Sequence, residues 1–530
     1  MKKTKMTSYD GPWMGSTDIS GWDIPIYEAL KAYTASDPLP FHMPGHKLGK
    51  GIPDEFLERI EKLDLTEIPG TDNLHMPSGA IMEAQELAAR AFGARKTFFL
   101  VNGSTVGLHA VIAAMCRPGQ QLIVGRDCHK AVINGMLLSG VTPYYILPEY
   151  SEEFGINTAI KASAVEEALD KAPGAAGVLI TRPNYYGVCC DIQKIAQIVH
   201  SRGKLLAVDE AHGSHLAFSR RLPACALEAG ADICVQSAHK TLPAFTQGAY
   251  LHVGSERIDA ERLRYFLDIY QTTSPSYILL AFLDIAREIM QKRGEQLLDG
   301  LLDVIEEESG KRTADGLKLL NGRDMNGFEH DDTRIVLNTS GLGISGYSAE
   351  KLLRERLNIQ VEMSDLNNIV CIATTADDSG SIERLFSGFM GLGAACRGHG
   401  VHHAAGRPDL NKFAVPGERA WPASSAASAS PAAAAEPEAA AAFPALGGLE
   451  LPRIAMGPDE ILNARFKKIP LKNAAGEISR EIISPYPPGI AAVCPGEIFE
   501  GSAIELLEEI LRCGGIVQGV DENGCVAVVK

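Results

Sequence analysis

The sequence Ser237-Ala-His239-Lys240-Thr241 directly follows the apolar run Ala231-Asp-Ile-Cys-Val-Gln236. This run predicts a buried strand, so Lys240 is expected just beyond the carboxyl end of that strand. Burial lowers the pKa of a lysine amine and leaves the amine free to form an imine with a carbonyl group. Lysines that follow strands are also common on protein surfaces, so this segment alone does not establish a reactive amine.

A second segment, Leu205-Leu-Ala-Val-Asp209-Glu-Ala-His212, supplies a chemical partner for this lysine. Its apolar strand is expected to deliver Asp209 to the same edge of a sheet as Lys240. A carboxylate facing a pyridinium nitrogen, together with a lysine that holds an aldehyde, is what pyridoxal phosphate (PLP) requires of a protein. The pair therefore predicts PLP as the cofactor, with Lys240 and Asp209 as catalytic residues.

The stretch Asp209-Glu-Ala-His212 also spells the acidic motif of NTP-dependent helicases. That function needs a G-x-x-x-x-G-K-[ST] loop to hold the phosphates, and the chain contains no such loop. The helicase alternative is therefore rejected.

Size and composition indicate a globular enzyme with more than one domain. The chain has 530 residues, of which 45% are apolar and 22% are charged. Its formal net charge of -16 argues against nucleic acid as a partner and is compatible with a small cationic substrate.

Cysteine usage and the absence of an apolar leader favour the cytoplasm. The 11 cysteines form no C-x-x-C pair, which is typical of reduced thiols and predicts neither a disulfide framework nor a metal site. No apolar segment follows Met1-Lys-Lys-Thr-Lys5, and no run is long enough to span a membrane.

Short apolar runs alternate with amphipathic helical patterns in the first half of the chain. Seven strands are predicted over 97–101, 121–124, 142–147, 177–181, 204–208, 232–236 and 248–252. Helices are predicted between several of them, over 105–115, 130–138, 163–171 and 192–201. This alternation predicts an α/β fold with a mostly parallel, helix-covered sheet, whose ligands gather at the carboxyl ends of the strands.

The sequence as a whole predicts five segments. We expect an N-terminal arm over 1–40, a large cofactor-binding domain over 41–310, a smaller α+β domain over 311–396, a linker or insertion over 397–450 and a C-terminal domain over 451–530. Within them, helices are predicted over 263–270 and 275–301 and strands over 333–338 and 368–373. The segment 397–450 is rich in Ala, Ser and Pro and predicts flexibility, and its histidines at 399, 402 and 403 lack acidic or cysteine companions for a metal.

Three further motifs follow predicted strands. Asn102-Gly103-Ser104-Thr105 opens a helix, where free backbone amides, hydroxyls and the helix dipole would hold a phosphate; a simple helix cap is the alternative. His129 follows the next strand and would lie flat on the cofactor ring. Asn184, in Thr181-Arg-Pro-Asn184-Tyr185-Tyr186-Gly187, would donate to the phenolic oxygen of the cofactor, although a structural turn explains this text equally well.

The ordered set of motifs resembles the bacterial ornithine/lysine/arginine decarboxylases, which have the aspartate-aminotransferase fold (fold type I). The matching segments are Phe41-His-Met-Pro-Gly-His-Lys47, Leu65-Thr-Glu-Ile-Pro-Gly-Thr-Asp72, Asn102-Gly-Ser-Thr105, Cys128-His-Lys130, Val208-Asp-Glu-Ala-His212, Ser237-Ala-His-Lys240, Thr273-Ser-Pro-Ser-Tyr277, Tyr486-Pro-Pro-Gly489 and Pro495-Gly-Glu497. The resemblance implies a PLP-binding large domain with a seven-stranded sheet and a smaller α+β C-terminal region.

The resemblance also assigns roles by position. It implies that Lys240 binds the cofactor aldehyde, that Asp209 pairs with the pyridine nitrogen and that His129 stacks on the ring. The other implied cofactor-binding residues are Gly103, Ser104, Thr105, Asn184, His212, Ser237 and His239. His46, Tyr277 and Glu497 are candidates for contacting the substrate, with Glu497 facing its distal cation.

Two departures from the family pattern affect these expectations. Asn184 stands where the family more often has threonine, which leaves its contact with the cofactor open. No response-regulator-like domain is expected before the PLP domain, so we expect the compact form, as a homodimer or a dimer of dimers.

The expected reaction is α-decarboxylation of a basic amino acid, with arginine favoured over lysine and ornithine, giving CO2 and agmatine or a diamine in polyamine biosynthesis. Lys240 or His239 would return a proton to Cα. An aminotransferase or lyase of the same fold, and a non-catalytic regulatory homologue, are the alternatives.

Overall fold

The structure is a computed structural model that describes residues 23–58, 60–314, 317–322, 325, 327–397, 451–486 and 489–530. Residues 1–38 and residues 39–530 form two separate units. The described part of the first unit contains one helix, Pro25–Ala35. The predicted linker lies outside the described residues apart from Arg397 at its edge, and the predicted domain boundaries stay predictions.

A seven-stranded sheet forms the centre of the second unit. Its strands, in chain order, are β1 (Lys96–Leu100), β2 (Gln121–Gly125), β3 (Thr142–Ile146), β4 (Gly177–Thr181), β5 (Leu205–Asp209), β6 (Ile233–Gln236) and β7 (Ala249–Val253). They lie in the order β1-β7-β6-β5-β4-β2-β3, and only β7 runs antiparallel to its neighbours. The predicted α/β class and mostly parallel sheet are confirmed, with every strand end within one residue of its predicted position.

Helices cover the sheet and follow the predicted alternation. Those of the first half are Asp54–Leu57, Ala80–Phe92, Gly103–Met115, Lys130–Ser139, Ala162–Lys171, Ile192–Ser201, Ala238–Thr241 and Ala260–Tyr270. All of these strands except the edge strand β3 are largely buried, which explains their nearly continuous apolar sequences.

A long helix, Tyr277–Ala314, leads into a smaller antiparallel sheet. This sheet contains β8 (Lys318–Leu319), β9 (Arg334–Asn338), β10 (Met363–Ser364) and β11 (Asn368–Ile372) in the order β8-β9-β11-β10. Helices Gly346–Leu357 and Ser379–Arg397 pack with it, and strand Ile359–Val361 pairs in parallel with Leu39–Phe41. The predicted α+β character of this region is confirmed.

Residues 451–530 form a third group of elements. Strand Phe466–Pro470 pairs with Cys525–Val529, and Ser484–Tyr486 pairs with Ile516–Gln518. Helices Pro458–Asn463 and Gly501–Arg512 complete the group, whose buried residues form a separate apolar cluster. Elsewhere, the short pairs are Tyr150–Ser151 with Ile156–Asn157, and Val188–Cys189 with Glu329–His330. Within the described ranges, every helix is too short or too polar to cross a bilayer.

A buried carboxylate fastens the ends of β5 and β6. Glu210 is fully buried, and its two oxygens accept hydrogen bonds from Ala226 N (2.8 Å) and Gln236 Nε2 (2.8 Å). The buried guanidinium of Arg182 lies 3.4 Å away and also pairs with Glu329, whose side chain is 62% exposed. One cation thus has one buried and one exposed partner.

This difference predicts two very different losses of stability. Glu210→Ala removes the buried partner and leaves the buried guanidinium of Arg182 with only its exposed partner Glu329, so we expect the free energy of unfolding to fall by about 3 to 5 kcal/mol. Glu329→Ala removes the exposed partner and should cost less than about 1 kcal/mol. Urea denaturation of both variants measures the two values; equal losses would contradict the role given to Glu210.

Candidate active site

A cavity of about 450 Å³ lies at the carboxyl ends of the parallel strands. Its lining combines residues that follow β1, β2, β4, β5 and β6: Ser104, Asp127, His129, Thr181, Asn184, Tyr185, Asp209, Ala211, His212 and Lys240, together with Ile490 from the C-terminal region. Parallel strands end at the same edge of a sheet, and this edge is where the sequence predicted the ligand.

Lys240 lies in the short helix Ala238–Thr241, and its Nζ is 3.0 Å from His212 Nε2. Arg334 Nη2 lies 3.3 Å from His212 Nδ1. Because a guanidinium only donates, His212 Nδ1 accepts, so His212 Nε2 carries the hydrogen and donates it to Lys240. Lys240 is then a neutral amine, in agreement with the burial that lowers its pKa.

Two buried carboxyl groups share the cavity with this amine. Asp209 ends β5 and accepts from Ala211 N (3.2 Å); burial raises its pKa, and a protonated Lys240 would oppose this rise. Burial raises the pKa of Asp127 to about 7, and the nearby Asp209 adds to the rise. Asp127 Oδ1 has no hydrogen-bond partner among the described residues.

The residues predicted to bind phosphate meet at one end of the cavity. Helix Gly103–Met115 begins here, and no side chain caps its first turn. Ser237 Oγ donates to Ser104 Oγ (2.8 Å), which brings the two hydroxyls together although they belong to different segments. Thr105 lies in the same helical turn. Gly103 N already donates to Gln247 O (2.9 Å), so the amides of Ser104 and Thr105, beside the two hydroxyls, are the ones suited to binding an anion.

Two histidines occupy different positions relative to the cavity. His129 lines it, caps helix Lys130–Ser139 by accepting from Ala131 N (3.2 Å), and has a pKa that burial lowers to about 3. His239 does not line it: its Nδ1 donates to Gly248 O (3.0 Å), and burial lowers its pKa to about 4. His239 is therefore neutral near pH 7 with a bare Nε2, which does not support its predicted donation to phosphate or to Cα.

The role predicted for Asn184 is also not supported. Asn184 lines the cavity, but its Nδ2 donates to the backbone oxygens of Asn157 (3.0 Å) and Thr158 (2.6 Å). Its Oδ1 accepts from Tyr186 N and Val188 N. Both amide hydrogens are thus used within the protein, and the structural-turn alternative explains this residue.

The three candidate substrate residues lie outside the cavity lining. His46 Nδ1 accepts from Gly49 N, and the hydroxyl of Tyr277 donates to Asp72 O (2.6 Å). Glu497 is fully buried against Arg126, with 2.8 Å between Oε2 and Nη2. The structure therefore gives no support to Glu497 as the partner of a substrate cation in this cavity, and the roles of His46 and Tyr277 stay predictions.

Sequence reasoning missed two charged residues of the site. Asp127 follows the apolar strand β2, and this is the same signal that revealed Asp209. Arg334 is the first residue of β9, directly before its apolar run, and a charged residue in a buried strand is itself a signal. Among the described residues, Arg334 Nε and Nη1 have no hydrogen-bond partner.

The site fits PLP. The neutral buried amine matches the aldehyde of PLP, and the buried carboxyl at a neighbouring strand end matches the ring nitrogen. The helix start with its two hydroxyls matches the phosphate. The unpaired Asp127 Oδ1 and Thr181 Oγ1 in the lining are further polar atoms that await a partner. Among the described residues, no His, Cys, Asp and Glu side chains cluster in a way that would hold a metal ion.

Fold and site together define a PLP-dependent enzyme of the aspartate-aminotransferase type. The family described as Orn/Lys/Arg decarboxylase matches this chain through its major domain over residues 24–321 and its C-terminal domain over residues 449–515. The chain belongs to this family. It is therefore a decarboxylase of basic amino acids whose cofactor is PLP, and the aminotransferase and non-catalytic alternatives are set aside.

Similar proteins span nearly the whole chain. The arginine decarboxylase of Bacillus subtilis (strain 168) is 34% identical over 518 residues, which cover 95% of this chain and 97% of that protein. The arginine decarboxylase of Bacillus anthracis is 33% identical over 512 residues, covering 95% and 96%. The crystal structure of the Francisella novicida lysine decarboxylase LdcF shares the fold, with a TM-score of 0.71, 18% identity and coverage of 97% of this chain and 79% of that chain.

The first prediction from this geometry concerns the amine that holds the cofactor. Lys240→Ala should abolish the visible absorption band of covalently bound PLP, because Lys240 is the only lysine that lines the cavity among the residues the structure describes. Lys130→Ala is the matched control: its Nζ lies near Gln518 Oε1 (3.2 Å), outside the lining, so the band should persist. An unchanged band in Lys240→Ala would refute its assignment.

The second prediction concerns the pH dependence of stability. In the folded state Asp127 keeps its proton up to about pH 7, whereas the unfolded chain loses it near its ordinary value of 3.8. Wild-type stability should therefore fall as the pH rises through this window. Asn does not titrate, so Asp127→Asn should gain about 2 to 3 kcal/mol relative to wild type between pH 5 and pH 8.

Urea denaturation of the cofactor-free proteins at both pH values measures this gain. Asp303→Asn, at a side chain that is 72% exposed, is the control and should show no comparable dependence. A gain for Asp127→Asn that is the same at both pH values would show that Asp127 is charged throughout.

Proposed function

We propose that this enzyme decarboxylates arginine in preference to lysine and ornithine, releasing CO2 and agmatine. The two Bacillus relatives that match nearly the whole chain are named arginine decarboxylases, and this supports the preference. The observation that carries the site assignment is that Lys240 and Asp209 line one cavity from neighbouring strand ends.

In this proposal, Lys240 binds the cofactor and is displaced by the amine of the substrate. A nucleophilic amine must be neutral, and three features favour that state. Burial and the positive charge of Arg334 both lower the pKa of Lys240, and His212 donates to its lone pair. Arg334 thus acts on the amine both through its charge and through the tautomer that it imposes on His212.

Asp209 is proposed to hold the ring nitrogen in its protonated form. When bound, PLP supplies an electron sink for the pair left on Cα after CO2 departs. A buried carboxylate beside the ring nitrogen favours the cationic ring, because the opposite charges are close in a region of low polarity. His129, which lines the same cavity, would cover the ring with its imidazole face.

The phosphate is proposed to bind at the start of helix Gly103–Met115. Ser104 and Ser237 supply hydroxyls there, and the first-turn amides of Ser104 and Thr105 lie at the positive end of the helix dipole. Ser104, Thr105 and Ser237 would hold the phosphate there, and Lys240, three residues after Ser237, would receive the aldehyde.

Lys240 is proposed to return the proton to Cα. His239 is the weaker candidate, since its Nδ1 is bound to Gly248 O and its pKa of about 4 leaves no proton to give near neutral pH. Lys240 acquires a proton when it leaves the cofactor and stays in the same cavity.

Assembly and setting are part of the proposal. We propose a homodimer or a dimer of dimers in the cytoplasm, acting in polyamine biosynthesis. Exposed Leu63, Leu65 and Ile68 lie in one loop and favour such an interface, because clustered apolar side chains are unusual on a free surface.

A panel of three substrates tests the preference. With added PLP, kcat/KM for CO2 release should be higher for arginine than for lysine or ornithine by about ten-fold or more, which corresponds to ~1.4 kcal/mol of discrimination. Keto-acid formation is measured in parallel, and Lys240→Ala serves as the blank. A higher value for lysine or ornithine would overturn the arginine proposal while leaving the decarboxylase assignment intact.

A further inference from the structure

A second cavity, of about 390 Å³, lies on the other side of the loop that carries His129. Its walls come from helix Lys130–Ser139, the start of β3, and C-terminal residues 454–458 and 494–497. Among the described residues, its lining and that of the active-site cavity have no member in common. The second cavity is therefore a separate site.

Most of this lining is hydrocarbon. The apolar side chains are those of Ile133, Met136, Leu137, Val141, Ile454 and Met456. Such walls bind an apolar body and give no partner to a strongly polar one.

One buried carboxylate, that of Glu497, belongs to this mostly apolar lining. The side chain of Glu497 is 1% exposed, and its Oε2 accepts from Arg126 Nη2 (2.8 Å) and Cys494 N (2.6 Å). Its Oε1 has no hydrogen-bond partner within the part of the chain that the structure describes. A buried acceptor without a donor is costly, so this oxygen is a position where a ligand N–H would be stabilised.

The neighbours of Glu497 are fixed and do not supply that donor. Arg126 also donates to Cys494 Sγ (2.8 Å) and Ala492 O (3.2 Å), and its guanidinium lies 4.9 Å from the ring centroid of Tyr145. The hydroxyl of Tyr145 points to Cys494 Sγ (3.5 Å). Because Arg126 contacts only Oε2, the second oxygen is left for a group outside this cluster.

We propose that this cavity binds a small amine with an apolar body, whose ammonium N–H donates to Glu497 Oε1 while its hydrocarbon chain packs against Ile133, Met136 and Ile454. An anion is disfavoured beside the carboxylate. A diamine or agmatine would place a second cation among the apolar walls, so the product of the proposed reaction is a poorer match than a monoamine.

The test uses the holoenzyme and a probe that cannot react with PLP. N,N-Dimethylhexylamine is a tertiary amine, so it forms no imine with the cofactor, and its protonated form offers a single N–H to the single free oxygen. Two relatives of the probe separate the contributions: N,N,N-trimethylhexylammonium keeps the charge and the chain without the N–H, and hexan-1-ol keeps a donor without the charge.

Isothermal titration calorimetry should show saturable binding of the tertiary amine. The trimethyl compound and hexan-1-ol should each bind at least about ten-fold more weakly than the tertiary amine, because each lacks part of the charged hydrogen bond. No saturable binding, or equal affinity for the trimethyl compound, would overturn the proposal.

Variants locate the binding without disturbing the active site. Ile454 is 40% exposed and lines the cavity, so Ile454→Trp should fill it and abolish binding of the amine. Ile516 is 63% exposed and lies outside this lining, so Ile516→Trp is the matched control and should bind as wild type does. Both variants should keep the visible band of bound PLP, which shows that they are folded; undiminished binding by Ile454→Trp would place the amine elsewhere and refute the site.

Discussion

The buried carboxylate of Glu210 joins the two strand ends on which the active site depends. Its backbone N–H donates to Val235 O (2.9 Å) and its side chain accepts from Gln236 Nε2 (2.8 Å), so the segment after β5 is tied to β6 at two points. Asp209 precedes Glu210, and successive side chains of an extended chain point to opposite sides. Fixing Glu210 in the core therefore directs Asp209 into the cavity, opposite the helix that carries Lys240.

Burial determines the charge states in this cavity. It lowers the pKa values of Lys240, His212 and His129 and raises those of Asp127 and Asp209, so that every one of these groups is shifted toward its neutral form. Neutral groups compete only weakly with the charges of a ligand for hydrogen bonds and ion pairs in the cavity. Asp209 would therefore be available to a cationic ring nitrogen, and the helix start to an anionic phosphate.

Sequence patterns were sufficient to predict the sheet and those polar residues that directly follow its strands. Apolar runs predicted the sheet, and polar residues directly after those runs led to Ser104, His129, Asp209 and Lys240. Predicting a site residue from its position after an apolar run failed where the side chain binds a partner in a distant segment. Asn184 satisfies its amide with the backbone at 157 and 158, and Glu497 pairs with Arg126, 371 positions away in sequence. Neither partner is implied by local spacing. Asn184 was therefore predicted to bind the cofactor and Glu497 the substrate, although each binds another part of the protein.

The C-terminal region is part of the active site because of the loop that follows β2. On this loop Arg126 pairs with Glu497 on one side, while Asp127 and His129 line the cofactor cavity on the other. The backbone of His129 also forms a β-bridge with Ile490, which itself contributes to that lining. Residues 490–497 therefore contact the His129 loop at Ile490 and Glu497, from the C-terminal part of the chain.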